Sequence, residues 1–231
     1  MIPIIIWGGT QTGANSLKEH LRLFGGETPE YRKPIADELI PLVKDKFAKK
    51  RLENGQWPFK HIFKNINLNN YYKIFEKNMI VRIHHGDFLD RSEIYEIILK
   101  AQKYNYNHIF LYRESLFDQS LGWFYEDHGS SYEKILPDPQ TFKDSIEGIK
   151  KDLVHTYNFI KDKIDLKLIS YEMLYLRRER KNVRDILNSF GYNLTVDDID
   201  TFIYNRYKHL NHGNKFKIDD IVGPISESKS F

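Results

Sequence analysis

The chain of 231 residues contains no cysteine, so disulfides, thiolate zinc sites and cysteine nucleophiles are all excluded. It has little net charge. The formal +3 is too small to imply nucleic-acid binding by itself, although it suits anionic ligands. It also lacks any long hydrophobic run. The apolar stretch at the start is too short to span a membrane and has no basic opening of the signal-peptide kind, and no later stretch is long enough. We therefore expect a cytoplasmic protein with no membrane span and no nucleic-acid partner. No internal repeat, low-complexity tract or clear linker divides the sequence, and a chain of this length buries one substantial core. A single domain over 1–231 is expected.

What is present begins with Ile2–Leu23, IPIIIWGGTQTGANSLKEHLRL. The continuous apolar run from Ile2 to Trp7 reads as a fully buried strand. Gly8 to Ser16 are all small or polar, and Leu17, His20, Leu21 and Phe24 then recur at helical spacing. Strand, small-residue loop and helix form the geometry of a phosphate cradle. Backbone N–H groups and the positive helix end converge on one anion, and Gly13 and Ala14 leave room for its approach. No Gly-Lys-Ser/Thr follows, so this is not the nucleotide-triphosphate P-loop.

Further along, a helical pattern covers Ile35–Phe47, and Lys49–Asn70 is irregular, basic and aromatic. Buried strands are expected at Met79–Ile83, His108–Tyr112 and Leu166–Tyr171. Helices are expected around Ile94–Ala101, Ser115–Tyr125, Phe142–Ile160, Val183–Phe190 and Ile199–Tyr207. Short apolar strands alternating with helices predict a three-layer α/β/α fold on a mainly parallel sheet. In such sheets ligands sit at the carboxyl ends of the strands. Thr10–Ser16, Arg82–Asp87, Arg113-Glu114 and Tyr171-Glu172 all fall there and should converge on one crevice. About 24–78 is a variable region that either lines an acceptor pocket or packs locally, and about 224–231 should be a disordered tail.

Four of these elements, in order, resemble the PAPS-dependent sulfotransferase family (PAPS is 3′-phosphoadenosine 5′-phosphosulfate). Thr10-Gln11-Thr12-Gly13-Ala14-Asn15-Ser16-Leu17 resembles the family's 5′-phosphosulfate loop, with Gln11 where the family usually has Arg or Lys. Arg82-Ile83-His84 resembles its Lys-x-His element. Ile109–Leu121 resembles the strand-end Arg and helix Ser that grip the 3′-phosphate, and Ile169-Ser170-Tyr171-Glu172-Met173-Leu174 resembles a Tyr-Glu-x-Leu element.

The resemblance implies a P-loop-like fold and sulfuryl transfer from PAPS, without a metal, to a hydroxyl or amine of an acceptor that the sequence does not identify. It assigns Gln11, Thr12, Gly13, Ala14, Asn15 and Ser16 to the phosphosulfate and Arg113 to the 3′-phosphate. The family's serine stands eight positions after the Arg, where this chain has Leu121. Ser120 is taken as the equivalent, with Gly122 one position beyond. His84, or His85 if the chain has already turned, would be the general base, a task for which histidine's near-neutral pKa is suited. Arg82 would supply the charge that Gln11 does not.

Three elements also have a plainer reading: Arg113 as a surface ion-pair partner of Glu114 or Asp118, Glu172 as a favourable charge near a helix start, and Lys208–Lys215, which the resemblance would place over the 3′-phosphate, as a solvated charge run. The alternatives for the whole chain are a P-loop-like nucleotide kinase or phosphotransferase and a non-catalytic nucleotide-binding relative.

Overall fold

The computed structural model describes residues 2–9, 11–25, 75–76, 80–84, 91–127, 138–176 and 179–201, the side chains of 91–93 and 125–127 excepted. The helix read at Ile35–Phe47, most of 24–78, His85, Thr10, Lys208–Lys215 and the tail at 224–231 lie outside them. Four strands, β1 (Ile4–Gly8), β2 (Ile80–Ile83), β3 (Asn107–Tyr112) and β4 (Leu166–Ser170), form one sheet in the order β2-β1-β3-β4. Every pairing is parallel; Ile6, for example, lies beside Arg82 on one side and Ile109 on the other. The described helices are α1 (Ala14–Phe24), α2 (Arg91–Lys103), α3 (Leu116–Asp127), α4 (Pro139–Ile160), α5 (Arg180–Ser189) and α6 (Val196–Asp200). A five-residue π-helical turn, Glu172–Leu176, follows β4.

Both faces of the sheet are covered, which is why its central strands read as unbroken apolar runs rather than alternating ones. Ile5, Trp7, Val81, Ile83 and Phe110 point to one face, where α2 and α4 bring Ile94, Ile97, Leu153 and Ile160. Ile4, Ile6, Ile80, Ile109 and Leu111 point to the other, against Leu17 and Leu21 of α1 and Val183 and Leu187 of α5. Phe75, fully buried, closes the first core and meets Tyr106 edge-on with ring centroids 5.3 Å apart. The three-layer α/β/α arrangement expected from the sequence is therefore the one found.

The chain leaves β1 for β2 by way of α1 on one face and reaches β3 from β2 by way of α2 on the other. Crossovers of one hand that run in opposite directions must lie on opposite faces. The order thus reverses between β1 and β3, and at such a switch point the loops after the two strands part and open a crevice. Those loops are the residues after Gly8 and the residues after Tyr112.

Candidate functional site at the β1–β3 switch point

Two glycines set the path of the loop from β1 into α1. A Cβ on Gly8 would sit 2.8 Å from the Ala14 Cβ, so the strand end and the helix start touch only because that side chain is absent. Gly13, the N-cap of α1, has φ +77°, and a side chain there would also run into the Tyr175 ring. Gln11 is left-handed too, at φ 58°, a conformation uncommon for a residue with a side chain.

Three carbonyls of this loop, those of Gly9, Gln11 and Gly13, are taken. Gly9 O accepts from Thr12 Oγ1 at 2.8 Å and from Arg82 Nη2 at 3.3 Å. Gln11 O accepts from Arg113 Nη1 at 3.4 Å. Gly13 O accepts from the Tyr175 hydroxyl at 3.1 Å and from Leu17 N at 3.0 Å. No described peptide bond is cis, and across a trans peptide the N–H points opposite to the carbonyl before it. Fixing the Gln11 and Gly13 carbonyls therefore turns the Thr12 and Ala14 N–H groups to the other side of the loop. No side chain caps the first turn of α1, and no acidic residue lies in it. Its orphan N–H groups and positive dipole end leave a setting suited to an anion.

Arg82 comes from β2 on the face that α1 covers. Besides Gly9 O, its guanidinium bonds Asn15 Oδ1 at 3.0 Å, so a cation is held against the loop. Residues two apart in an extended chain share a face, which puts the half-buried His84 on Arg82's side, just past the end of β2. Thr12 is fully buried and Ala14 nearly so, whereas Asn15 is exposed. Ser16 stands 3.5 Å from His20 Nδ1 one turn on.

Arg113 follows β3 and is 1% exposed, which removes the surface ion pair entertained above. Its guanidinium lies 4.4 Å over the Tyr171 ring, and its Nε is 3.7 Å from Glu172 Oε1. Glu172 is buried and also accepts the backbone N–H groups of Glu114 (2.9 Å) and Ser115 (3.4 Å). Burial pushes its carboxyl above the usual range, and the backbone bonds and the Arg113 charge pull it back. Glu114 in turn accepts the Ser170 hydroxyl at 2.6 Å. Glu172 is thus more than a charge near a helix start: it ties the end of β4 to the end of β3.

The structure turns Ser120 elsewhere. It is fully buried, and its hydroxyl donates to Ser145 of α4 at 2.7 Å, because this side of α3 packs on α4. Gly122 of α3 lies against the loop, where an added Cβ would be 3.2 Å from the Gln11 side chain. This loop-facing position carries no hydroxyl. Ser115 is engaged as well, its Oγ accepting Asp118 N at 3.2 Å as the N-cap of α3.

Tyr175 is the residue that sequence reasoning missed altogether. Burial drives its hydroxyl far above the usual tyrosine range, so it remains a donor to the loop at neutral pH. Its only signal was its place one turn after Tyr171, with which its ring packs at 4.9 Å. Among the described residues there is no cluster of three or more His, Asp or Glu able to hold a metal, and no helix is long and apolar enough to cross a membrane. No family model and no curated protein matches the chain.

Proposed function

We propose that the protein transfers a sulfuryl group from PAPS to a hydroxyl or amine acceptor. One observation carries the reading. The carbonyls of Gly9, Gln11 and Gly13 are occupied by donors from β2, the residue after β3, the π-helical turn and the loop itself. That leaves a face of N–H groups at the switch point, with Arg82 beside it. Thr12 and Ala14 N–H and the Arg82 guanidinium are the groups for a 5′-phosphosulfate, and Arg113 is the cation for a 3′-phosphate. A charge-assisted hydrogen bond of this kind is worth about 1.5–3 kcal/mol.

PAPS supplies an activated sulfuryl group whose S–O bond to the 5′-phosphate breaks as a bond to the acceptor forms. The work left to the chain is positioning and charge stabilisation. His84, on the Arg82 side of β2, takes the acceptor proton.

A second reading, transfer of phosphoryl rather than sulfuryl groups or simple nucleotide binding, is favoured by two particulars. Arg113 is almost fully enclosed, and the α3 position beside Gln11 is Gly122, whereas Ser120 bonds Ser145 instead. A 3′-phosphate on Arg113 requires the side chains that cover it to yield.

The test uses PAPS labelled in the sulfuryl group and a panel of alcohols, sugars, phenols and amines. Wild type should transfer label to at least one. His84→Ala should lose about 10²–10⁴-fold in turnover, the usual worth of a general base. Its affinity for adenosine 3′,5′-bisphosphate should stay within about twofold, under ~0.5 kcal/mol. Unchanged transfer by His84→Ala removes His84 from the chemistry; His85→Ala, made in parallel, then shows whether the neighbour is the base.

A further inference from the structure

We infer that Glu172 is a positioning residue: it sets the direction of Arg113 towards the loop and so gives the site its preference for a nucleotide bearing a 3′-phosphate. This rests on the reading just proposed. A guanidinium is planar, with all five N–H donors in that plane, so fixing one edge and one face fixes where the remaining donors point. Glu172 Oε1 faces the Nε edge of Arg113 at 3.7 Å, Tyr171 covers one face at 4.4 Å, and the far end reaches Gln11 O at 3.4 Å.

Two of these three restraints are consecutive residues at the end of β4. The carboxylate is itself immobilised by the backbone N–H groups of Glu114 and Ser115, so it can hold Arg113 without following it. Both members of the pair are 1% exposed, where a guanidinium without its counter-charge is costly. The backbone adds an independent pointer. Glu172 opens a π-helical turn, a geometry that is rare and concentrated at functional sites. The same turn delivers the Tyr175 hydroxyl to Gly13 O. One short stretch after β4 therefore controls the loop at Gln11 and at Gly13.

The test is calorimetric binding of adenosine 3′,5′-bisphosphate and of adenosine 5′-phosphate to the full chain, for wild type, Glu172→Gln, Arg113→Ala and the double variant. Glu172→Gln should weaken the bisphosphate about 10-fold and the monophosphate less than about 2-fold. In the Arg113→Ala background the same change should move the bisphosphate by less than about 2-fold, since the two residues act as one unit. A loss shared equally by both ligands, or one that persists without Arg113, would show that Glu172 only supports the fold, and no loss would also overturn the inference. If Glu172→Gln does not fold, Glu172→Asp is compared in its place. It keeps the charge but withdraws the carboxylate, and a selective loss supports positioning where an equal loss or none refutes it. A wild type with no preference for the bisphosphate fails at an earlier step, sinking the proposed function and the inference with it.

Discussion

His108 is the described side chain whose titration should matter most to stability. It is 3% exposed on β3 and accepts the Trp7 indole N–H at Nδ1, 3.1 Å away, an arrangement that requires the neutral ring. Burial lowers its pKa from 6.5 to about 4, and the nearby Asp165 charge opposes that only in part. Because the folded pKa lies below the unfolded one, the unfolded chain takes up the proton first as pH falls. The contribution is complete above pH 6.5 and is lost as pH drops towards 4, at up to about 1.4 kcal/mol per pH unit within that window. Glu172 acts in the opposite direction, since its raised carboxyl favours the fold as it becomes protonated. Urea unfolding followed through tryptophan fluorescence between pH 7 and 4.5 should show the loss in wild type. In His108→Gln, which retains an acceptor but does not titrate, the slope should be much shallower. Equal slopes would mean that another group controls acid stability.

Among the elements, α3 shows most clearly how the site is assembled. Its N-terminus is closed twice, by Ser115 Oγ on Asp118 N and by the Glu172 carboxylate on the N–H groups of Glu114 and Ser115. Ser115→Ala removes only the first closure. It should lower stability by about 1 kcal/mol, the scale of a lost N-cap, and leave bisphosphate affinity unchanged, because Glu172 still orders the junction. A loss of binding as large as that of Arg113→Ala would show that the cap, and not the carboxylate, places Arg113.

The same element marks how far the sequence could be read. The strands were legible because two covered faces demand unbroken apolar runs. β1 starts at Ile4 rather than Ile2, behind Pro3, whose ring leaves no N–H for a ladder. Arg113 and Glu172 were visible as polar residues placed directly at strand ends. Counting along a helix favours Ser120, yet counting cannot say which side of α3 meets α4 and which meets the loop. Tyr175 was hidden for a related reason: the π-helical turn shifts the helical register, so spacing could not show that its hydroxyl returns to Gly13.

At the scale of the whole molecule, the strand order β2-β1-β3-β4 does what no single motif does. It brings Gly9, Gln11 to Ser16, Arg82 and His84, Arg113, and Tyr171 to Tyr175 to the same end of the sheet, across more than 160 residues of sequence. The central claim is that this end recognises a nucleotide with phosphates on both its 3′ and 5′ positions. Titrating the wild-type chain in parallel with adenosine 3′,5′-bisphosphate, adenosine 5′-phosphate and ATP, with the melting temperature as the readout, tests it most directly, because a ligand that binds the native state must raise stability. The account predicts that the bisphosphate gives the largest rise at equal concentration. Equal or greater stabilisation by ATP, with no advantage for the bisphosphate, would contradict it and favour phosphoryl transfer.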